Sequence, residues 1–210
     1  MSAREEILER IRTALKDNPE VPEIPRGYRA ASQLDRAELI ELLVDRLIDY
    51  KAQVSVEDAE DVSARIGELL AGAGSYVVPA GLDAGWLTGL ELEQDSRRRL
   101  DSATAPLSVA ELDCIDAVVT GSAVSVAETG TIILDGSPNQ GRRVITLVPD
   151  HHICVVKVAD IAGILPEALR RIDGTRPLTM ISGPSATSDI ELERVEGVHG
   201  PRKLDVIIVR

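Results

Sequence analysis

Short, uninterrupted runs of β-branched residues in the second half of the chain constrain its fold more than any other sequence feature. Both faces of strands with this continuous pattern are expected to be covered by other elements. With helices predicted before residue 75 and over 159–172, they indicate an α/β fold with a mixed, partly parallel sheet flanked by helices. The gaps between 120 and 153 are too short for crossover helices, so antiparallel pairs are expected there. The predicted strands are 115–120, 131–134, 144–148, 153–158, 178–182 and 204–209.

A helical extension is predicted before the main domain. Ser2 and Glu5 form a capping box for a first helix, and the proline-rich residues 18–33 are typical of an extended linker. A short amphipathic helix cannot make a core alone, so it either folds back on the domain or packs on another chain. We therefore predict an N-terminal helix and linker over residues 1–34 and a single domain over residues 35–210.

The domain is predicted to begin with two helices and a strand. Asp35 caps the first of these helices, with a glutamate three residues later. Ser55 is predicted to begin the next helix, which a pair of glycines ends near residue 72. Residues 75–79 are predicted to form the first strand, and residues 81–113 to contain two short helices.

Composition limits the classes of partner. The chain has one Trp, three Tyr and no Phe, so the core must be aliphatic and platforms for stacked bases are scarce. Its net charge of −12 arises mainly in residues 35–116, which hold 18 acidic and 7 basic residues, whereas residues 117–210 hold 11 and 10. This balance argues against nucleic acid or an anionic membrane as the main partner. The nearly neutral second half remains able to accept an anionic ligand.

The cysteines and histidines do not suggest a metal or cofactor site in this chain. Cys114 and Cys154 have apolar neighbours and are predicted to be small buried residues rather than a disulfide. No Cys-x-x-Cys pair is present to ligate an iron–sulfur cluster or zinc, and adjacent His151 and His152 are poorly placed to share one ion. The sequence has no signal-peptide pattern and no membrane-span-length apolar run, so we expect a cytoplasmic protein.

Two loops near the C-terminus concentrate groups that bind small ligands, and they are predicted to frame one short helix. A capping box starting at Ser188 would use only two of the polar groups, so the others are available to a carboxylate or phosphate at the helix N-terminus. The two acidic residues suit a sugar-like hydroxyl, a cation or a backbone amide better than an anion. The predicted ligand-binding residues here are Gly183, Pro184, Ser185, Thr187, Asp189, Glu191, His199 and Gly200.

A turn between two predicted strands carries Glu128, the candidate catalytic residue. Gly130 permits a tight turn, and Thr129 and Thr131 can donate hydrogen bonds to a bound oxygen. A carboxylate at the rim of an apolar sheet can act as a general base or a nucleophile. It can equally hold a neighbouring loop by hydrogen bonds, and the residues alone leave both roles open.

Arg142 and Arg143 follow a turn-rich connection over residues 138–141. An arginine here could clamp a carboxylate or phosphate, because the guanidinium fork matches both groups. The alternative is a solvated loop tip. We favour Arg142 as a ligand-binding residue, since it belongs to the pattern described next.

Four motifs occur in a fixed order along the chain: Ala127–Thr131, Gly141–Arg143, Gly183–Glu191 and Gly197–Pro201. Together they resemble the LUD domain family, specifically the lactate utilisation protein C (LutC, YkgG) type, from about Leu39 to the C-terminus. The resemblance implies the fold of ribose-5-phosphate isomerase, glucosamine-6-phosphate deaminase and CoA transferases (the NagB/RpiA/CoA transferase-like fold). Carboxylates act as base or nucleophile in those enzymes, so Glu128 is the candidate by analogy of fold.

The resemblance also implies a function. The family takes part in oxidising lactate to pyruvate, together with partner proteins that carry iron–sulfur clusters. This chain would then be a subunit that binds a small carboxylate or phosphate and leaves electron transfer to iron–sulfur subunits. Two alternatives stay open: a stand-alone isomerase or CoA-transferase-like enzyme that uses Glu128, and a structural subunit without a ligand.

Overall fold

A computed structural model describes residues 2–17, 22–88, 96–187, 195–196 and 199–210. Its helices are α1 (Ala3–Ala14), α2 (Arg36–Asp49), α3 (Val62–Leu70), α4 (Val109–Leu112) and α5 (Leu165–Leu169). Its strands are β1 (Gln53–Glu57), β2 (Tyr76–Pro79), β3 (Arg98–Asp101), β4 (Ala117–Thr120), β5 (Val124–Val126), β6 (Thr131–Leu134), β7 (His151–Lys157), β8 (Ile161–Ala162), β9 (Thr179–Ile181), β10 (Ala186–Thr187), β11 (Val195–Glu196) and β12 (Lys203–Val209).

Two sheets form the centre of the molecule. The large sheet has six parallel strands in the order β1-β12-β7-β4-β2-β3. The small sheet has the order β8-β5-β6-β9, in which β6 runs antiparallel to both neighbours and β5 and β8 are parallel. Strands β10 and β11 form a separate antiparallel ribbon. The predicted α/β class and the predicted antiparallel pairing between residues 120 and 153 are both confirmed.

The core is aliphatic, as predicted, and lies in layers on both faces of the large sheet. One face packs against α2 and the small sheet, where Leu43 and Leu47 of α2 are fully buried. The other face packs against α3 and the short 3₁₀ helix Ala84–Leu87, which contains the buried Trp86. Truncating a fully buried leucine such as Leu43 to alanine is expected to cost about 2–5 kcal/mol of stability.

Several elements differ from the sequence-based predictions. The helix predicted over 159–172 is shorter, because Ile161–Ala162 forms β8 and α5 extends only over Leu165–Leu169. The helix predicted from Ser55 is present as α3, but its predicted start is wrong, because residues 53–57 form β1 and the helix begins at Val62. The strand predicted over 144–148 is wrong, because Arg143–Thr146 is a 3₁₀ helix whose Ile145 packs under the sheet. The region 81–113 contains, besides its short helices, the unpredicted edge strand β3.

The N-terminal extension meets the domain through its linker. Helix α1 has the predicted capping box at Ser2, but none of its residues is buried. The linker is anchored instead: Arg29 donates to the Glu128 carboxylate at 2.5 Å, the Ser32 N–H donates to the Glu167 carboxylate at 2.8 Å, and Arg170 donates to the Ala30 carbonyl. These contacts place residues 29–32 beside the turn that carries Glu128.

The two cysteines lie in different environments. Cys154 on β7 is fully buried, and burial raises the pKa of its thiol to about 12, although a hydrogen bond from Thr120 opposes the shift. Cys114, in contrast, is exposed, so the prediction that both cysteines are buried is wrong for Cys114. Residues 114 and 115 follow α4. Ile115 packs into the core there, whereas Cys114 faces solvent.

Within the described ranges, every helix is too short or too polar to cross a lipid bilayer.

Candidate functional site

Two neighbouring cavities, together called the cleft, lie between the small sheet and the 3₁₀ helix Arg143–Thr146. The large cavity has a volume of about 620 Å³ and the small cavity a volume of about 310 Å³. Arg143, Thr146 and Thr179 line both cavities and mark where they meet. Both volumes fall within the range of small-molecule sites.

The small cavity gathers the two C-terminal loops predicted to bind a ligand. Gly183, Pro184, Ser185, His199 and Gly200 all line it. Hydrogen bonds hold the two loops together. The Ser185 N–H donates to the Pro201 carbonyl at 2.8 Å, and the His199 N–H donates to the Ser185 hydroxyl oxygen at 3.0 Å. Because the Ser185 hydroxyl accepts there, its own proton remains available to donate to a ligand.

Gly183 is required by the backbone at the entrance to this loop. Its φ of +98° is a conformation that side chains rarely adopt. A Cβ at this position would lie 2.5 Å from the Tyr50 carbonyl oxygen at the end of α2. The close approach of the loop to α2 therefore sets the position of Ser185.

Arg142 is bound by a buried carboxylate. Its Nε and Nη2 donate to the two oxygens of Asp101 at 2.9 and 2.5 Å, and Nη2 also donates to the Leu107 carbonyl at 2.7 Å. The Asp101 side chain is only 1% exposed. Burial would raise the pKa of Asp101, but hydrogen bonds from Arg142 and from the Leu107 N–H outweigh burial and lower it. Arg142 lines the large cavity, and two of its three guanidinium nitrogens are engaged within the protein.

Arg143 is the opposite case. Its side chain is exposed, lines both cavities, and makes no hydrogen bond or ion pair with the described residues. A guanidinium without a partner at the junction of two cavities is well placed to bind an anion. The sequence-based interpretation favoured Arg142 because it belongs to the family-like pattern. Nothing in the sequence shows that Asp101 binds Arg142 and leaves Arg143 without a partner among the described residues.

A second arginine–aspartate pair lines the large cavity. Arg176 donates from Nη1 to Asp135 at 2.7 Å and to the Ser137 hydroxyl at 3.1 Å. Gln140 accepts a hydrogen bond from the Asp135 N–H at 2.7 Å. Burial opposes ionisation, but the bonds from Ser137 and the charge of Arg176 lower the pKa of Asp135. This pair fixes the loop that follows β6, and sequence reasoning did not identify it.

His152 lies on the wall of the small cavity, and the sequence-based site did not include it. The residue is 1% exposed, and its Nε2 lies 2.8 Å from the Thr120 hydroxyl. Burial, with a smaller contribution from the charge of His151, lowers the pKa of His152 to about 3. The ring is therefore neutral at physiological pH. The signal for it in the sequence was the His151–His152 pair, since consecutive strand residues face opposite sides.

The turn that carries Glu128 lies beside the small cavity but outside its lining. Thr131 links the two, because its hydroxyl lies 2.8 Å from that of Thr129 and 2.8 Å from that of Ser182 at the end of β9. Gly130 has a φ of +60°. The Glu128 carboxylate is 44% exposed and pairs with Arg29. Glu128 lines neither of the two cavities, and its catalytic role stays a prediction.

Part of the predicted site lies outside the described residues. This applies to Asp189, Glu191, and the helix and capping box predicted to begin at Ser188. Thr187 is placed in β10, paired with β11. The described chain on either side of that predicted helix is therefore strand.

The cleft differs from the chain as a whole in the sign of its net charge. Three arginines and two aspartates are the charged residues among its described lining, apart from the histidines His152 and His199. Both aspartates are already paired, so the cleft has a net positive charge in a chain of net charge −12. Guanidinium, hydroxyl and imidazole groups around 310 Å³ suit a small carboxylate.

Comparisons with known proteins agree with the motif pattern. The family model of the LUD domain matches residues 40–209. A Deinococcus radiodurans protein named lactate utilization protein C is 46% identical over 193 residues, 90% of this chain and 87% of that protein. A protein of the same name from Shouchella clausii is 34% identical over 116 residues, 52% of this chain and 50% of that protein.

A solved structure shows the same fold. The crystal structure of a DUF162 family protein from Deinococcus radiodurans superposes with a TM-score of 0.70 at 39% sequence identity, covering 84% of this chain and 99% of that one. The resemblance inferred from four short motifs is thereby confirmed over most of the chain. The chain belongs to the LUD domain family, in which its relatives include proteins named lactate utilization protein C.

Proposed function

We propose that this chain acts in lactate utilization as a subunit that binds a small carboxylate in the small cavity. The observation that carries the proposal is Arg143, whose guanidinium has no partner among the described residues and which lines one cavity together with Ser185 and His199. Its relatives' names supply the pathway. The cavity supplies the chemistry, because a guanidinium binds a carboxylate through two parallel hydrogen bonds.

The remaining groups of the small cavity suit the hydroxyl oxygen of a 2-hydroxy acid or the keto oxygen of a 2-oxo acid. The Ser185 hydroxyl can donate, since it accepts from the His199 N–H. Thr146 lies beside Arg143, and its hydroxyl donates to the Arg143 carbonyl at 2.9 Å, so its oxygen can still accept. A ligand that carries one carboxylate and one adjacent oxygen would therefore find a partner for each group.

Oxidation of lactate to pyruvate releases two electrons, and we propose that iron–sulfur partner proteins receive them. The chain contains two cysteines, and one of them is fully buried with a pKa of about 12. That set is too small for the four thiolates that usually hold a cluster. The proposal predicts a stable complex with the iron–sulfur subunits of the same cell, detectable by co-elution of the purified proteins in size-exclusion chromatography.

Ligand binding is tested by thermal unfolding of the full chain with L-lactate, D-lactate and pyruvate, and with lactamide as a neutral control. A carboxylate at about one hundred times its Kd should add about 2.7 kcal/mol to the free energy of unfolding. For a chain of this size that raises Tm by roughly 5–10 °C. Lactamide should have no effect, since it lacks the charge that Arg143 would bind.

Two variants locate the site. Arg143→Gln should weaken carboxylate binding at least about tenfold, because charge-assisted hydrogen bonds contribute about 1.5–3 kcal/mol. Arg36→Gln is the matched control: Arg36 is exposed, makes no pair within the described residues, and lines neither of the two cavities. Equal binding by the two variants, or no Tm shift with any carboxylate in the wild type, would overturn the proposed binding role.

A further inference from the structure

We propose that the large cavity is a second ligand compartment, which takes a phosphate-bearing compound. It goes beyond the proposed function, since a small carboxylate occupies only the small cavity. The large cavity has about twice the volume of the small one, and Arg143, Thr146 and Thr179 line both. A three-carbon acid leaves it unfilled.

The place of this cavity in the sheet supports a ligand site. It lies at the carboxyl ends of β2 and β3, where Pro79–Gly81 and Asp101–Ala103 leave the sheet. Ligands of parallel α/β sheets usually bind outside the carboxyl ends of the strands.

One wall of the large cavity is the loop that contains residues 138 and 139, and this loop is hydrogen-bonded to strand ends. The Gly81 N–H donates to the Pro138 carbonyl at 3.2 Å, and the Gly121 N–H donates to the Asn139 carbonyl at 2.9 Å. A Cβ on Gly81 would lie 2.4 Å from Pro138. The loop over residues 138–139 therefore packs on the ends of β2 and β4, and these contacts fix its position.

Three arginines give the cavity its specificity for anions. Arg142 keeps Nη1 and Arg176 keeps Nε and Nη2 without a hydrogen bond among the described residues, and Arg143 keeps its whole guanidinium. Asp101 and Asp135 orient two of these arginines. Oriented guanidinium groups bind a phosphate without first losing conformational freedom.

A phosphate suits this arrangement better than a second monocarboxylate. A phosphate ester carries close to two negative charges and three acceptor oxygens, enough for donors on several arginines. Leu134, Pro138 and Pro177 form an apolar part of the wall, which can cover the uncharged body of the ligand. The compartment thus combines a charged rim with apolar walls, which is typical of sites for small phosphate esters.

Ala103 provides a test that leaves the fold intact. Its side chain is exposed, lines the large cavity, and is absent from the lining of the small one. Ala103→Glu introduces a negative charge at the rim, and Ala103→Gln introduces a side chain of the same size without the charge. The binding of pyrophosphate and of glycerol 3-phosphate, with glycerol as control, is measured by calorimetry at constant ionic strength for the wild type and both variants.

We expect the wild type to bind a phosphate compound saturably and not to bind glycerol. The affinity for the phosphate compound should fall at least about tenfold in Ala103→Glu and change by less than about threefold in Ala103→Gln. Absence of saturable binding, or equal affinities in the two variants, would overturn the inference. Wild-type titrations with lactate and pyruvate keep the two proposals separate. Carboxylate binding without phosphate binding overturns only the second compartment, and the reverse result overturns only the carboxylate site.

Discussion

Arg142 and Arg143 are consecutive residues on the wall of one cavity, yet the fold uses them in opposite ways. Arg142 is bound to a buried aspartate and a backbone carbonyl, whereas Arg143 has no partner among the described residues. The same division separates His152, buried and bonded to Thr120, from the exposed His199. Arg142 and His152 hold the cleft in shape, whereas the side chains of Arg143 and His199 have no hydrogen-bond partner among the described residues and are available to a ligand.

The largest expected effect concerns the arginine that holds the cleft. Arg142→Gln leaves the buried Asp101 carboxylate without its charged partner, so we expect the free energy of unfolding to fall by about 3 kcal/mol. Arg143→Gln should change it by no more than about 0.5 kcal/mol. Urea unfolding of both variants measures the difference. Similar losses in the two variants would show that the division between bound and free arginines is wrong.

The next effect concerns the buried histidine and pH. The pKa of His152 is about 3 in the folded chain, against an ordinary value of about 6.5 in the unfolded chain. Between these values the unfolded chain binds one more proton, so the free energy of unfolding falls as pH falls, by up to about 1.4 kcal/mol per pH unit. Between pH 7 and pH 5 the loss is about 2 kcal/mol.

His152→Asn removes this titration while keeping a polar side chain. The variant should be less stable than the wild type at pH 7, but its stability should depend less steeply on pH between 7 and 5. Urea unfolding at pH 7, 6 and 5 gives both slopes. Parallel slopes would mean that the ring is protonated in the folded chain or is reached by water.

A smaller effect is expected at Glu128, whose only described ionic partner is the exposed Arg29. An exposed pair contributes about 0–1 kcal/mol, so Glu128→Gln should change stability by less than that. The variant also tests the predicted catalytic role. If the purified chain turns over a substrate alone, the loss of that activity in a stable Glu128→Gln protein would support the base or nucleophile. Retained turnover would remove the residue from the mechanism.

The least perturbing test compares the two thiols. Cys114 is exposed and Cys154 is fully buried. A thiol reagent such as DTNB should therefore react with one group in the native chain and with a second only after unfolding by urea. Rapid reaction of both groups in the native chain would show that β7 opens on the timescale of the assay.

Much of the fold could be predicted because its central strands are buried on both faces. β4, β7 and β12 contain continuous apolar runs. These runs are too short for a typical helix, so their length indicates strands. The edge strands gave no such signal. β1 contains polar residues at 53, 55 and 57, and β3 reads Arg-Arg-Leu-Asp, so each depends on a neighbour distant in sequence for its pairing.

The candidate site was predictable where it depends on loop chemistry. Gly183, Ser185 and His199 were recognised from their turn residues, and the structure brings them to one cavity. The roles of Arg142 and Arg143 were not predictable, because they depend on Asp101, which lies some 40 residues away in the chain at the end of another strand. His152 was missed as a cavity residue for the same reason, since its hydrogen-bond partner Thr120 lies 32 residues away on β4.

The single tryptophan gives the protein an internal optical reporter. The Trp86 ring lies 3.5 Å from where a Gly121 Cβ would be, and the same glycine donates to Asn139 in the loop beside the large cavity. With only three tyrosines and no phenylalanine elsewhere, excitation at about 295 nm observes this one position. A compound that displaces the loop should change the emission of Trp86, so occupancy of the cleft can be followed by fluorescence without any added label.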